Sequence, residues 1–217
     1  MEQDKELTNK IIEYSEKIGV DIVGFADPKL FDRFPKANQP LAYLKETKTV
    51  IIIGIHLYDI MLDTWSYPTG KSLHFADSVL KNYCNSISKF LIKHGFLAKV
   101  IPYHPGLFLK DSAALAGLGS IGKNNLLITE KYGSQVRLRA IVTSAPLELG
   151  NPIYENPYCE DCNLCIDSCP AKAFPNGKYD KKICNDYNHA NWRILSEYSR
   201  LWCNECIESC PAGENNK

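Results

Sequence analysis

Two segments in the first half of the chain have the apolar spacing of amphipathic helices. The first is predicted to end before Gly19 and the second, over residues 77–94, before Gly95, because glycine is favoured just past the C-terminus of a helix. The apolar positions at helical spacing are Leu7, Ile11, Tyr14 and Ile18 in the first segment and Leu80, Cys84, Ile87 and Leu91 in the second. Cys84 thus lies on an apolar face, and we expect it to be a core residue rather than a metal ligand.

Other apolar runs have the length and β-branched content of strands. They are residues 20–25, 49–57, 97–101, 126–128 and 136–143. The run 49–57 is continuously apolar, as expected of a central strand. The run 136–143 alternates, which indicates one solvated face and a mixed or antiparallel component of the sheet. These patterns predict an α/β (α+β) N-terminal domain with a mixed sheet.

The distribution of cysteine divides the chain. Eight of the nine cysteines lie between Cys159 and Cys210, and Gly150 with two nearby prolines interrupts any regular pattern just before them. We therefore predict one domain over residues 1–150 and a second over residues 151–217. The second has few large apolar side chains, so we expect a bound cofactor to form much of its core.

Composition restricts the function classes. Of the 217 residues, 45% are hydrophobic and 23% are charged, which is typical of a globular chain and not of a disordered one. The 25 basic and 25 acidic side chains give a net charge of zero, which argues against a strongly basic nucleic-acid-binding protein. The apolar runs are too short to span a bilayer, and the acidic N-terminus lacks the features of a secretory signal. We expect a cytoplasmic protein with no membrane partner, in a compartment where disulfides are disfavoured.

The cysteine spacing predicts iron–sulfur clusters. Residues 159–170 have the pattern C-x2-C-x2-C-x3-C-P of bacterial ferredoxins, in which three cysteines bind one [4Fe–4S] cluster and the fourth binds the other. Residues 203–211 contain C-x2-C-x3-C-P with one cysteine fewer, and Cys184 is the obvious substitute. Exchange of the last cysteine of each run gives two ligand sets, Cys159, Cys162, Cys165 and Cys210 for the first cluster and Cys169, Cys184, Cys203 and Cys206 for the second. We therefore predict a ferredoxin-like domain that holds two [4Fe–4S] clusters.

Structural zinc is the alternative, because C-x2-C pairs also bind zinc. Zinc sites pair one C-x2-C with a distant second pair, whereas this chain crowds four cysteines into one short run that a single tetrahedral ion does not need. The spacing favours iron–sulfur clusters over zinc.

A glycine-rich segment, Gly117-Leu-Gly119-Ser-Ile-Gly122, matches the dinucleotide-binding pattern G-x-G-x-x-G. That pattern requires a strand before the glycines and a helix after them. Here residues 110–116 are predicted to be helical and residues 124–128 extended, so the order is reversed. The glycines are better explained by a tight turn or by close approach of the backbone to a flat cofactor.

Residues 113–128, followed by Tyr132-Gly-Ser134 and residues 143–147, resemble the epoxyqueuosine reductases. These are corrinoid-dependent enzymes with two clusters and are related to reductive dehalogenases. The cysteine layout matches as well, including Cys184 and the closing run 203–211. The resemblance implies a cobalamin between the two domains, which receives electrons through the clusters.

The resemblance also implies site residues. Those expected against the corrin edge are Gly117, Gly119, Ser120, Gly122, Lys123 and Asn124. Lys123 would bind an amide or phosphate group of the cofactor, or else be a surface lysine. The position of the proton donor, which is an aspartate in epoxyqueuosine reductases, matches Tyr103 here. Tyrosine is the proton donor in reductive dehalogenases. The other interpretation of Tyr103 is a residue that packs at the end of a strand. His104 is the weaker candidate donor.

Two functions remain open. The protein is either a compact cobalamin-dependent reductase of a small molecule, fed by an external donor of ferredoxin or flavodoxin type, or a ferredoxin-like electron-transfer protein that reduces the corrinoid or metal centre of a separate partner. A purely structural cluster protein is a less favoured third interpretation. The chain ends seven residues after Cys210, without the helical repeats of many epoxyqueuosine reductases, and it has no excess of basic residues. We therefore expect that tRNA is not its substrate.

Overall fold

The computed structural model describes residues 3–66 and 73–213 and shows an α/β fold with several antiparallel sheets. The helices are α1 (Lys5–Lys17), α2 (Phe75–Lys93), α3 (Leu109–Leu115), α4 (Leu164–Asp167), α5 (Lys181–Ala190) and α6 (Glu205–Glu208). The strands are β1 (Ile22–Ala26), β2 (Thr49–His56), β3 (Thr64–Ser66), β4 (Leu73–His74), β5 (Ala98–Val100), β6 (Ser120–Ile121), β7 (Leu127–Ile128), β8 (Val136–Thr143), β9 (Arg193–Ser196) and β10 (Ser199–Leu201).

The described residues divide into two compact units. The first is drawn from Met1–Ile55, Val79–Gly119 and Arg137–Tyr154, and the second from His56–Ser78, Ser120–Val136 and Glu155–Lys217. The last change of unit lies close to the domain boundary predicted at residues 150 and 151. Two segments of the predicted first domain nevertheless belong to the second unit, because they pack with the cysteine-rich region rather than with the large sheet.

The first unit is built on a four-stranded sheet with the order β1-β2-β8-β5. β1 pairs antiparallel with β2, and β5 with β8. Lys48 N donates to Thr143 O (2.8 Å) beyond one end of β2 and Leu57 N donates to Gln135 O (2.8 Å) beyond the other, so β2 and β8 are also antiparallel. The antiparallel component expected of the sheet is therefore confirmed, but its named strands all pair antiparallel, so the expectation that the sheet is mixed is wrong. The apolar run of β2 reflects burial of the strand on both faces. Parallel strands are buried in the same way, so such a run does not reveal the direction of a central strand.

The first two helices follow the predicted pattern closely. α1 begins after Asp4, whose carboxylate accepts a hydrogen bond from Leu7 N (2.9 Å), and Gly19 has the positive φ of +97° expected after a helix. Tyr14 of α1 stacks on Phe90 of α2 with ring centroids 4.8 Å apart. Cys84 is fully buried on α2, which confirms that it is a core residue.

The second unit contains an antiparallel sheet of order β4-β3-β10-β9 and a small hairpin formed by β6 and β7. Its three tryptophans lie near one another: the ring centroid of Trp202 is 6.0 Å from that of Trp65 and 5.6 Å from that of Trp192. Every residue of β9 is exposed. No helix in the described part of the chain combines the length and the apolar character needed to cross a bilayer.

Candidate metal centre

The second unit contains two cysteine loops of the same construction. The sequence Cys162-Asn-Leu-Cys-Ile-Asp-Ser-Cys-Pro170 is repeated as Cys203-Asn-Glu-Cys-Ile-Glu-Ser-Cys-Pro211, with seven of nine residues identical. In each loop an asparagine with φ near −125° precedes a one-turn helix, α4 or α6, and the following serine has φ near −76°. The hydroxyls of Ser168 and Ser209 are 2.9 Å apart, so the two copies meet at equivalent residues.

Four thiols of the predicted first set surround one cavity. Cys159, Cys162, Cys165 and Cys210 line it, together with Asn124 and Ile128. Burial raises the pKa of the Cys165 thiol, and the neighbouring thiolates of the other three cysteines raise it further. The second loop therefore supplies one sulfur, Cys210, to the group formed by the first loop.

The remaining four thiols form a second group. Burial raises the pKa of Cys206 to about 12, and the thiolates of Cys203 and Cys184 add to this effect. Burial is also the main reason for the raised pKa of Cys203, to which Cys169 and Cys184 contribute. Assembling these thiols in one place without a cation is thus electrostatically unfavourable in the thiolate form, and positive charge would offset that cost.

Three groups bind the sulfur atoms and backbone of the second set. Ala173 N donates to Cys169 Sγ (3.4 Å), and Asn188 Nδ2 donates to Cys184 Sγ (3.5 Å). Asn188 Oδ1 also accepts from Cys203 N (2.7 Å), so this asparagine, 2% exposed, connects α5 with the second cysteine loop. The hydroxyl of Tyr179 forms a hydrogen bond with Cys184, and burial together with that bond raises the pKa of Tyr179.

Replacement of Asn188 by alanine is expected to destabilise the second unit by about 1–3 kcal/mol, because it leaves the part-buried Cys203 N–H without its acceptor. Asn191→Ala is the matched control at the C-cap of the same helix: the side-chain amide of Asn191 is exposed and donates to Tyr187 O, and we expect a change within about 0.5 kcal/mol. Denaturant unfolding followed by tryptophan emission measures both. Equal free energies of unfolding for the two variants would show that Asn188 does not stabilise the connection between α5 and the second cysteine loop.

In residues 3–66 and 73–213, no three His, Cys, Asp or Glu side chains converge closely enough to bind a single ion. Tetrahedral zinc requires sulfur atoms about 2.3 Å from one common centre. All nine cysteines are free thiols. Each group offers four thiols, the number that a [4Fe–4S] cluster binds, with each thiolate on a different iron atom.

The glycine-rich segment follows α3 and includes β6, so a helix precedes it and extended chain follows, as predicted. Gly117 has φ +77°, and a side-chain Cβ there would meet Asn151 O at 2.7 Å. At Gly122 a Cβ would meet Ile128 at 2.8 Å. Contacts within the protein therefore explain both glycines. Gly119 and Ser120 are buried.

The two residues that follow Gly122 contact the cysteine loops. Lys123 Nζ donates to Glu160 O, Cys162 O and Asn163 Oδ1, at 3.0–3.2 Å. Asn124 is 4% exposed, and its Nδ2 donates to Cys206 O (3.2 Å). Lys123 is thus not a free surface lysine, and its N–H donors are engaged by the protein.

Tyr103 and His104 lie on an exposed loop of the first unit. The Tyr103 ring is 52% exposed, which disfavours the packing interpretation. The guanidinium of Arg139 lies 5.5 Å from the centroid of the Tyr103 ring. The His104 ring meets the Tyr103 ring edge-on, with ring centroids 5.4 Å apart. Asn38 fixes the loop by donating to Gly106 O (2.8 Å).

Comparison with known proteins shows which enzymes the chain is similar to. No protein-family model matches it. An epoxyqueuosine reductase of Listeria monocytogenes is 37% identical over 227 residues, covering 89% of this chain and 59% of that protein. A tetrachloroethene reductive dehalogenase of Dehalobacter restrictus is 34% identical over 167 residues, covering 76% of this chain and 29% of that protein. The chain is a relative of the epoxyqueuosine reductases and the reductive dehalogenases. The resemblance predicted from the sequence is confirmed.

Solved structures of these relatives share the fold. The epoxyqueuosine reductase of Bacillus subtilis superposes with a TM-score of 0.73 at 22% identity, covering 98% of this chain and 66% of that one. A catabolic reductive dehalogenase has a TM-score of 0.70 at 15% identity, covering 98% of this chain and 33% of that one. This relative of the epoxyqueuosine reductases therefore spans little more than half the length of its curated Listeria counterpart.

The expectation against tRNA finds no support. One similar structure, with a TM-score of 0.72 and 24% identity, is an epoxyqueuosine reductase with a tRNA-Tyr stem loop. The net charge of zero is a sum over the whole chain and does not describe the charge of any one face of the protein. It therefore gives no ground for excluding RNA.

Several site residues of this reductase relative were not predicted. Asn188 and Tyr179 contact Cys184, and the contact of Lys123 with the first cysteine loop was not predicted either. The nine-residue repeat in the sequence indicates that the two cysteine loops have the same construction, because it aligns Cys162 with Cys203 and Cys169 with Cys210. The place of Lys123 had no such signal, because it depends on contacts between segments far apart in sequence.

Proposed function

We propose that the protein is an oxidoreductase that holds two [4Fe–4S] clusters and passes electrons through them to a corrinoid. The first cluster is assigned to Cys159, Cys162, Cys165 and Cys210, and the second to Cys169, Cys184, Cys203 and Cys206. The observation that carries this proposal is the gathering of eight thiols into two groups by two copies of one loop. The relatives support it, since both groups are named reductases.

The donor set fits iron–sulfur clusters. Thiolates are the usual ligands of such clusters, and each group offers four of them. When bound, the clusters supply one-electron transfer. The chain contributes the thiolates and the N–H groups of Ala173 and Asn188, which donate to sulfur and stabilise its negative charge.

A corrinoid is proposed as the further cofactor on the ground of kinship. One structurally similar reductive dehalogenase is described as suggesting a mechanism for B12-dependent dehalogenation. Of the residues predicted to contact the corrin, Lys123 and Asn124 already bind the cysteine loops. Ser120 is 1% exposed, and its hydroxyl has no hydrogen-bond partner among the described residues. This hydroxyl is therefore the polar group of the segment that we propose for a hydrogen bond to the corrinoid.

Tyr103 is the proposed proton donor, with His104 as the weaker candidate. Exposure of the Tyr103 ring leaves its hydroxyl accessible, and the Arg139 guanidinium holds the ring from one side. The proposed role of the chain is thus to bind electron carriers and to deliver a proton to the reduced substrate. That substrate is a small molecule or a modified base in tRNA, and a ferredoxin- or flavodoxin-type protein is the proposed electron donor.

Titration of the anaerobic, iron-loaded protein with hydroxocobalamin tests the enzyme against the electron-transfer alternative. Binding at one corrinoid per chain, with Co(II) or Co(I) absorption bands on addition of dithionite, is expected of the reductase. Unperturbed corrinoid bands, together with reversible reduction of the clusters, would instead identify a transfer protein that serves a separate partner.

A further inference from the structure

The turn of the β6–β7 hairpin holds the first cysteine loop through a lysine. Lys123 Nζ donates to Glu160 O (3.2 Å), Cys162 O (3.0 Å) and Asn163 Oδ1 (3.1 Å). An ammonium group has three N–H donors, and each finds an acceptor here. All three acceptors lie in residues 160–163, at the start of the first cysteine loop and just before it, and three of the four thiols of the first set belong to residues 159–165.

The next residue of the same turn holds the second loop without a charge. Asn124 Nδ2 donates to Cys206 O (3.2 Å), and its Oδ1 accepts from Leu126 N (3.1 Å). Gly122 N donates to Leu126 O (2.8 Å), which closes the hairpin. Two consecutive residues therefore bind one cysteine loop each, the first as a cation and the second as a neutral amide.

We propose that Lys123 positions the first cysteine loop and that its charge raises the reduction potential of the cluster bound there. The inference rests on the proposed function. Reduction adds one negative charge to a cluster, and a cation bound to the backbone at a ligand residue stabilises that charge. The two loops carry acidic residues at one matched position, Asp167 and Glu208, so these side chains do not distinguish the charge of the two environments, whereas Lys123 contacts the first loop.

The test is a potentiometric titration of the anaerobically reconstituted full chain, followed by electron paramagnetic resonance. Lys123→Met is expected to move one of the two cluster potentials to a more negative value, and that signal is the one that Cys159→Ala removes. Lys123→Arg retains the charge and is expected to restore the wild-type potential. Lys45→Met removes a charge from an exposed lysine of the first unit and is expected to shift neither potential.

Full iron content with both potentials unchanged in Lys123→Met would overturn the inference while leaving the two clusters in place. If Lys123→Met fails to assemble the first cluster, the positioning role is supported, and Lys123→Gln then tests the charge, because its amide keeps two N–H donors without charge. An unshifted potential in Lys123→Gln would overturn the electrostatic part. Absence of iron from the wild-type protein would instead overturn the proposed function itself.

Discussion

Removal of iron is expected to unfold the second unit while the first stays folded. Of the twelve largest fully buried side chains in the described residues, eleven belong to the first unit and only Ile128 to the second. The second unit is therefore short of apolar core, and its thiols repel one another as thiolates when no cation is bound. Metal binding supplies folding free energy in such a case.

Tryptophan emission measures this unfolding specifically, because the chain has three tryptophans and all lie in the second unit. Chelation of iron is expected to shift their emission to the red as the ring cluster of Trp65, Trp192 and Trp202 separates. Hydrogen exchange provides the control: α5 should lose protection, whereas β2 and the central turns of α2 should keep it. A chelated protein with a protected α5 would show that the second unit folds without its clusters.

Replacement of Cys184 by alanine is expected to destroy or alter one cluster and spare the other. Cys184 lies on α5, outside both repeated loops, and its sulfur interacts with those of Cys203 and Cys206. Iron content should fall from about eight to about four atoms per chain, since each cubane cluster holds four. Quantitative metal analysis and electron paramagnetic resonance of the reduced protein measure the loss.

Cys84→Ala is the matched control for that experiment. Cys84 is fully buried on α2 in the first unit, away from the cysteine loops in the sequence, and its replacement should leave the iron content unchanged. Two intact clusters in Cys184→Ala would show that the second ligand set is assigned wrongly. Loss of a whole cluster in Cys84→Ala would contradict the core assignment of Cys84.

The sequence predicted the elements of the first unit because their patterns are periodic. The apolar run 49–57 becomes β2 (Thr49–His56), and the alternating run is β8 (Val136–Thr143) itself. Strand direction was not predictable in the same way. A strand buried on both faces is apolar throughout in either kind of sheet, so the composition of β2 did not distinguish an antiparallel sheet from a mixed one.

The second unit was harder to predict, because its elements lack periodic apolar positions. All residues of β9 are exposed, so the hairpin with β10 leaves no alternation in the sequence. The addition of residues 56–78 and 120–136 to this unit depends on long-range contacts such as Lys123 to Cys162. The gathering of Cys159, Cys162, Cys165 and Cys210 around one cavity was predictable, since the ligand spacing is set by the chemistry of a cluster rather than by packing.

Iron and acid-labile sulfide in the anaerobically reconstituted 217-residue chain test the two-cluster assignment most directly. About eight iron atoms and about eight sulfide ions per chain, with paramagnetic signals on reduction by dithionite, are the predicted result. A protein that takes up zinc but neither iron nor sulfide, and gives no paramagnetic signal when reduced, would contradict the assignment of the eight thiols to iron–sulfur clusters.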